Sequence, residues 1–154
     1  MTIEDLKTLM DEFDPAALLP ELDTIVGKVE LVARIAVMAG PIILLILGLA
    51  YLLVSPKEAN YHFGYRCYFG MGSVNAWRFS QRLAGIVWGL LGLILTAVML
   101  LICSSFRGQE IMDILSSAVK CVVWQAVAAA VSCLVINLCV ATRYDAKGEL
   151  RAKN

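Results

Sequence analysis

Three long apolar runs, separated by polar segments, set the organisation of this chain. They cover residues 31–54, 83–103 and 118–141. As an α-helix rising about 1.5 Å per residue, each run is long enough to cross a hydrocarbon core of about 30 Å. The pattern predicts an all-α membrane protein whose three transmembrane helices form a membrane domain over residues 31–141. A loop of residues 55–82 joins the first two spans, and residues 142–154 form a basic C-terminal tail.

Residues 1–30 have a different pattern, in which apolar residues at helical spacing oppose an acidic face. The apolar positions of the first part are Ile3, Leu6, Leu9, Met10 and Phe13. This periodicity predicts an N-terminal amphipathic helical segment. A second helical piece is expected to begin at Pro15, because proline fits the first turn of a helix. The acidic face is either the solvated side of a segment packed on the protein or a platform for a partner.

Charge is unevenly placed, although the chain is 60% hydrophobic and its formal net charge is zero. Acidic residues dominate residues 1–30, whereas the loop 55–82 and the tail are basic. This asymmetry argues against a basic nucleic-acid-binding face. Basic residues near span ends favour the cytoplasmic side of a plasma membrane. We therefore expect the loop and the C-terminus in the cytoplasm and the N-terminus outside.

Small residues in the second span indicate how the helices pack. Gly85, Gly89 and Gly92 lie near one side of it, and missing side chains permit close approach of another backbone. The partner helix is either in this chain or in a second copy, so these small-residue faces also allow an oligomer.

Polar residues and a proline inside the spans add further constraints. Gly40-Pro41 predicts a kink in the first span, since Pro41 cannot donate a helical hydrogen bond. Gln125 and Asn137 are the amides at depth in the third span. Both are expected to face inward, because an unpaired polar group in hydrocarbon is costly.

The sequence offers little catalytic chemistry. Its five cysteines form no C-x-x-C pair, and most lie in apolar runs, so they are interpreted as small packing residues. His62 is the single histidine, which excludes a multi-histidine metal site within one chain. No nucleophile elbow, phosphate loop or zincin helix is present. We expect no metal, no cofactor and no enzymatic activity.

The central stretch, residues 60–85, is polar, aromatic and rich in glycine between two apolar runs. Arg66 and Arg82 lie in it, and an arginine forms paired hydrogen bonds with carboxylate or phosphate. At the headgroup level they could hold a lipid phosphate, a peptide carboxylate or a protein backbone. Asn60 could cap the turn, and Trp77 could form one wall of such a site. The alternative is that these cations only anchor the loop in the cytoplasm.

The central stretch also resembles the signature of the SdpI family. The matching residues, in order and spacing, are Asn60, Gly64, Arg66, Trp77, Arg82 and Gly85. The chain departs from that signature at Cys67, where Thr is usual, at Tyr68, where Pro is common, and at Gln81, where Asn or His is usual. The resemblance implies a small integral protein of a bacterial plasma membrane that confers immunity to a membrane-active toxin peptide. It also implies capture of a regulator protein at the membrane.

Two main functions follow from these observations. The first is an SdpI-like immunity or signalling protein that binds a toxin peptide, a lipid feature or a regulator through the central stretch, without catalysis. The second is an accessory or structural subunit of a membrane complex, held through the glycine and alanine faces of its helices. A weaker third alternative is an enzyme or transporter acting on a lipid headgroup.

Overall fold

The computed structural model describes residues 15–54, 56, 59 and 62–151, with backbone alone for residues 15–23. Three long helices account for most of this part: α1 (Pro15–Leu53), α2 (Val74–Ser104) and α3 (Ile111–Arg143). A 3-10 turn at Phe69–Met71 precedes α2. Within the described ranges an isolated bridge between Tyr144 and Leu150 is the sole strand-like pairing.

Each helix contains a segment long and apolar enough to cross a membrane. These segments are Thr24–Leu53, Val74–Ser104 and Ile111–Arg143. The predicted fold class, an all-α protein with three transmembrane helices, is confirmed. The amphipathic N-terminal segment was predicted for residues 1–30. Residues 1–14 lie outside the described residues, and the side chains of residues 15–23 are not described, so the amphipathic character stays a prediction.

The chain passes up, down and up through the bundle, which therefore has two distinct ends. The loop end carries residues 62–73 and the C-terminal residues 144–151. The turn end carries the short connection at residues 105–110. Helix α1 begins at Pro15, as expected for proline in a first turn, and passes residue 30 without interruption.

Pro41 removes one backbone hydrogen bond from α1, and α3 replaces it. Without an N–H on Pro41, the carbonyl of Val37 one turn earlier loses its helical partner. Gln125 of α3 donates its Nε2 to this carbonyl at 2.9 Å. Gly40 leaves room for the amide, since a Cβ there would overlap the Gln125 Oε1. Gln125 is therefore buried, as its depth predicted, and α1 continues through Pro41 as an unbroken helix.

Helices α1 and α2 approach each other closely through glycine. A Cβ at Gly48 would overlap the backbone nitrogen of Gly89, and a Cβ at Gly92 would lie 2.5 Å from the backbone nitrogen of Leu45. A Cβ at Gly85 would lie 3.0 Å from the carbonyl oxygen of Gly48. The partner of the glycine face is thus α1 of the same chain.

Two positions at this crossing, 48 and 89, differ from the prediction of where a side chain cannot be accommodated. A Cβ at Gly89 would meet nothing within 4 Å, so Gly89 contributes its backbone rather than an empty side-chain position. Gly48, which the sequence analysis did not single out, is the position that requires glycine instead. The difference arises because the absent side chain of Gly48 points at the partner backbone, whereas that of Gly89 points away from it.

Two apolar cores stack along the bundle. At the turn end, all three helices contribute to a cluster of Ala33, Val37, Met99, Cys103, Phe106, Ile114, Ala118 and Cys121. At the loop end, the cluster comprises Tyr65, Ala76, Ala84, Ile136, Val140 and Tyr144. Because Tyr65 comes from the connection between α1 and α2, the loop is part of the folded body.

The glycine crossing can be tested with a matched pair of alanine variants. Gly48→Ala should lower the melting temperature in detergent, because its methyl group would force α1 away from α2. Overpacking of this kind costs about 1–3 kcal/mol. Gly89→Ala makes the same chemical change where the Cβ meets open space, and it should leave the melting temperature unchanged or slightly higher. Equal destabilisation by both variants would contradict this packing.

Candidate functional site

Residues 62–73, which we call the docked loop, fold back onto the first turns of α2. The side chain of Gln81, 1% exposed, holds the loop backbone from both sides at one residue. Its Oε1 accepts a hydrogen bond from the N–H of Tyr65 at 2.7 Å, and its Nε2 donates to the carbonyl of Tyr65 at 2.7 Å. A side-chain amide can pair with the N–H and the carbonyl of one residue because it carries one acceptor and one donor group side by side.

Trp77 forms the floor under the start of the docked loop. It is fully buried, and its indole N–H donates to the carbonyl of Pro56 at 3.0 Å. Gly64 packs against the Trp77 ring and has a φ of 129°, a backbone conformation that residues with a side chain rarely adopt. A Cβ at Gly64 would also lie 2.6 Å from the Trp77 Cζ2. Glycine is therefore required here by both backbone conformation and space.

A second contact fixes the far part of the docked loop. A Cβ at Gly70 would lie 2.6 Å from the Cys67 Sγ and 2.9 Å from the Oγ of buried Ser80. Burial raises the pKa of the Cys67 thiol. A protonated, half-buried thiol matches the interpretation of this cysteine as a packing residue.

The side chain of Tyr65 connects the docked loop to α3. Its hydroxyl lies 3.2 Å from the carbonyl oxygen of Cys133 and 3.2 Å from the Oδ1 of Asn137, and it can donate to either. Burial raises the pKa of Tyr65 to about 12, so the hydroxyl keeps its proton at physiological pH. Its ring meets Trp88 edge-on at 5.5 Å between centroids. One residue thus ties the loop to α2 by its backbone and to α3 by its side chain.

The C-terminal residues close the loop end from outside. Ser73 caps α2 by accepting from the N–H of Ala76 at 3.2 Å, and its hydroxyl donates to the carbonyl of Gly148 at 2.7 Å. The guanidinium of Arg143 lies 4.5 Å from the ring centroid of Phe79. The predicted basic tail is therefore folded onto the docked loop, at least as far as residue 151.

A groove of roughly 510 Å³ lies between the docked loop and the last turns of α3. We call it the loop–α3 groove. Its lining residues are Arg66, Cys67, Tyr68, Phe69, Leu134, Asn137, Leu138 and Ala141. Arg66 and Tyr68 are exposed at its loop side. Asn137 was expected to face inward; it is exposed at the groove instead, because Ile136 and Val140 occupy the buried face of α3 at this level.

The structure divides the predicted site residues into two groups. Gly64, Trp77 and Gly85 are packing residues that fix the docked loop and the crossing beneath it. Arg66 lines the groove, whereas Arg82 is exposed on α2 and is not part of the groove lining. Asn60 lies outside the described residues.

Two residues central to the site were missed as functional candidates. Gln81 was noted only as a departure from the signature, and Tyr65 was not among the candidate site residues. The available signal was the position of Gln81, an amide next to an apolar run. If such a side chain is buried, it needs a polar partner, which a nearby loop can supply. Among the residues described, no group of three His, Cys, Asp or Glu side chains could hold a metal ion.

Comparison with known proteins gives one match. Residues 57–141, more than half of the chain, match the model of the SdpI/YfhL protein family. Neither a curated protein nor a solved structure matches the chain. The matched region contains the docked loop, α2 and nearly all of α3, and therefore every described residue that lines the loop–α3 groove.

The pairing of Gln81 with Tyr65 predicts that substitution of Gln81 destabilises the protein. Gln81→Leu loses both the acceptor and the donor and leaves a buried N–H and a buried carbonyl unpaired. Each buried group left unpaired costs about 1–3 kcal/mol. Thermal unfolding in detergent should therefore show a lower melting temperature for Gln81→Leu than for the wild type.

Gln109→Leu is the matched control, because Gln109 is exposed at the turn end. If Gln81→Leu were as stable as this control, the docked loop would not depend on the pairing.

Proposed function

The chain belongs to the SdpI/YfhL family of multi-pass membrane proteins, and from this premise we propose that it protects its cell against a membrane-active toxin peptide. In this proposal the protein acts by binding and carries out no reaction. Toxin peptide and protein meet at the docked loop, and a regulator protein is a second candidate partner at the same surface. Family membership supports an immunity-type membrane protein in general, and the loop geometry supports binding as the mode of action.

The observation that carries the proposal is the position of Arg66. This exposed residue follows Tyr65 directly, and the backbone of Tyr65 is held by two buried hydrogen bonds of 2.7 Å. A guanidinium presented from a fixed backbone loses little freedom when it binds a carboxylate or phosphate. A loop that served solely as a charged anchor would not need this rigid attachment.

We further propose that the protein lies in the plasma membrane with its loop end in the cytoplasm. Basic residues near span ends determine orientation. The described ones at the loop end are Arg66, Arg78, Arg82, Arg143, Lys147 and Arg151. Those at the turn end are Lys28, Arg34, Arg107 and Lys120. The excess at the loop end supports this orientation.

One feature favours the alternative function, an accessory subunit of a membrane complex. A shallow groove of roughly 320 Å³ runs beside the crossing of α1 and α2, and Gly89 opens into it. Its walls include Leu45, Leu49 and Leu90. A helix of a larger partner could pack there, and a fixed partner that co-purifies from native membranes would favour this function over immunity.

Orientation can be measured with single cysteines in a background that lacks the five native ones. Asn75→Cys reports the loop end and Gln109→Cys the turn end, since both residues are exposed. In intact cells, a membrane-impermeant maleimide should label the cysteine at position 109 and not the one at position 75. The reverse pattern would place the loop end outside.

Arg66→Lys separates a structured site from a charged anchor. The substitution keeps the charge but removes the planar fork that binds carboxylate or phosphate. Loss of such a contact costs about 1–3 kcal/mol, or roughly a fivefold to more than hundredfold weakening of binding. Cells producing this variant should survive a membrane-active toxin peptide less well than cells producing the wild type, at equal protein abundance in the membrane.

Arg78→Lys is the control, because Arg78 is exposed at the same end of the bundle and does not line the groove. Full protection by Arg66→Lys would mean that the charge alone matters and would overturn the proposed binding site.

A further inference from the structure

The loop–α3 groove is polar at one end and apolar at the other. Arg66 and Tyr68 stand at its loop side, and Tyr68 is 76% exposed. Leu134 and Leu138 form the wall on α3, one helical turn apart, with exposed fractions of 68% and 65%. Arginine and tyrosine suit the headgroup level of a bilayer, and exposed leucines suit its hydrocarbon core.

Along α3, the groove is long enough to extend from the membrane interface into the hydrocarbon of one leaflet. Leu134 and Ala141 are about 10 Å apart along the helix at 1.5 Å per residue. Helix α3 ends at Arg143, two residues beyond Ala141, so the Ala141 end of the groove lies near the interface. The opposite end therefore reaches into hydrocarbon, where an acyl chain can lie along α3.

Asn137 supplies the polar contact between these two ends. Its Oδ1 lies 3.2 Å from the Tyr65 hydroxyl and can accept from it. The N–H groups of the amide then remain as donors at the exposed edge of the groove. The ester and phosphate oxygens of a phospholipid are acceptors at this level. An extended peptide would instead bring many backbone donors and acceptors that one amide cannot satisfy in hydrocarbon.

The charges around the groove select the headgroup. Besides Arg66, the guanidinium of Arg151 lies 5.9 Å from the ring of Phe69, a lining residue. The described acidic residues of the folded tail are Asp145 and Glu149, against the six described arginine and lysine residues at this end of the bundle. The Asp145 Oδ1 accepts from the backbone N–H groups of Lys147 and Glu149 at 2.9 and 2.8 Å, so this carboxylate is directed into the tail. The local excess of cations favours an anionic headgroup over a zwitterionic one, whose ammonium group would face arginine.

We propose that the loop–α3 groove holds one anionic phospholipid, with its phosphate on Arg66, its ester region on Asn137 and one acyl chain along Leu134 and Leu138. The inference rests on the proposed function to the extent that both use the same site. A lipid phosphate and a toxin carboxylate would share Arg66, so the lipid is the molecule that an arriving toxin displaces.

Native mass spectrometry of the full-length protein, released from detergent, tests this directly. With equimolar phosphatidylglycerol and phosphatidylcholine added, the wild type should retain one phosphatidylglycerol in preference. Arg66→Gln should reduce that retention roughly fivefold or more, by the scale of a charged hydrogen bond. Leu134→Trp should fill the apolar end, which lies farthest from the interface, and reduce retention of both lipids. Excess inorganic phosphate should not displace the lipid, because it offers no acyl chain.

Arg78→Gln is the matched control, since it removes the same charge at the same end of the bundle away from the groove. Equal losses for Arg66→Gln and Arg78→Gln, or equal retention of the two lipids by the wild type, would overturn the inference. Melting temperatures in lipid-free detergent show whether each variant is folded.

Lipid retention and toxin protection are separate readouts, so the two proposals can fail separately. Retention that depends on Arg66 without any effect on protection would overturn the proposed function alone. Protection that depends on Arg66 without lipid retention would overturn the lipid inference alone.

Discussion

The loop end of this protein depends on the pair of hydrogen bonds between the Gln81 amide and the backbone N–H and carbonyl of Tyr65. They are buried, so breaking them would leave donors and acceptors without water to replace them. Because they fix Tyr65, its hydroxyl reaches α3 and its neighbour Arg66 is held beside the groove. The position of the groove therefore follows from one side chain at the start of α2.

This arrangement gives the residues of the family signature two different tasks. Gly64, Trp77 and Gly85 allow close packing, and substitutions there would act on the fold before they act on any partner. Arg66 is exposed and lines the groove, so a substitution there acts first on the groove surface. A loss of activity after substitution of a packing residue would thus come from a disturbed fold. A loss after substitution of Arg66 would come from a lost contact at the groove.

Hydropathy was sufficient to predict the three spans, because a run of apolar residues reports directly on transfer into hydrocarbon. It could not predict the docked loop, which rests on contacts between side chain and backbone that leave no periodic pattern. The loop was expected to extend to residue 82, yet α2 begins at Val74, since the capping serine at position 73 lies in a polar turn before the apolar run. The need for glycine at position 48 could not be predicted for a related reason. It depends on the direction in which a Cβ would point, and the sequence does not show that direction.

The carbonyl of Val37 has a consequence for the biogenesis of the protein. Until α3 has entered the bilayer, this oxygen has no amide to bind, because Pro41 cannot supply one and Gln125 is still to be synthesised. A nascent chain with two inserted helices is therefore left with an exposed polar defect in lipid. Insertion of the third helix supplies the Gln125 amide, so this hydrogen bond of the first span forms only once all three helices are present in the bilayer.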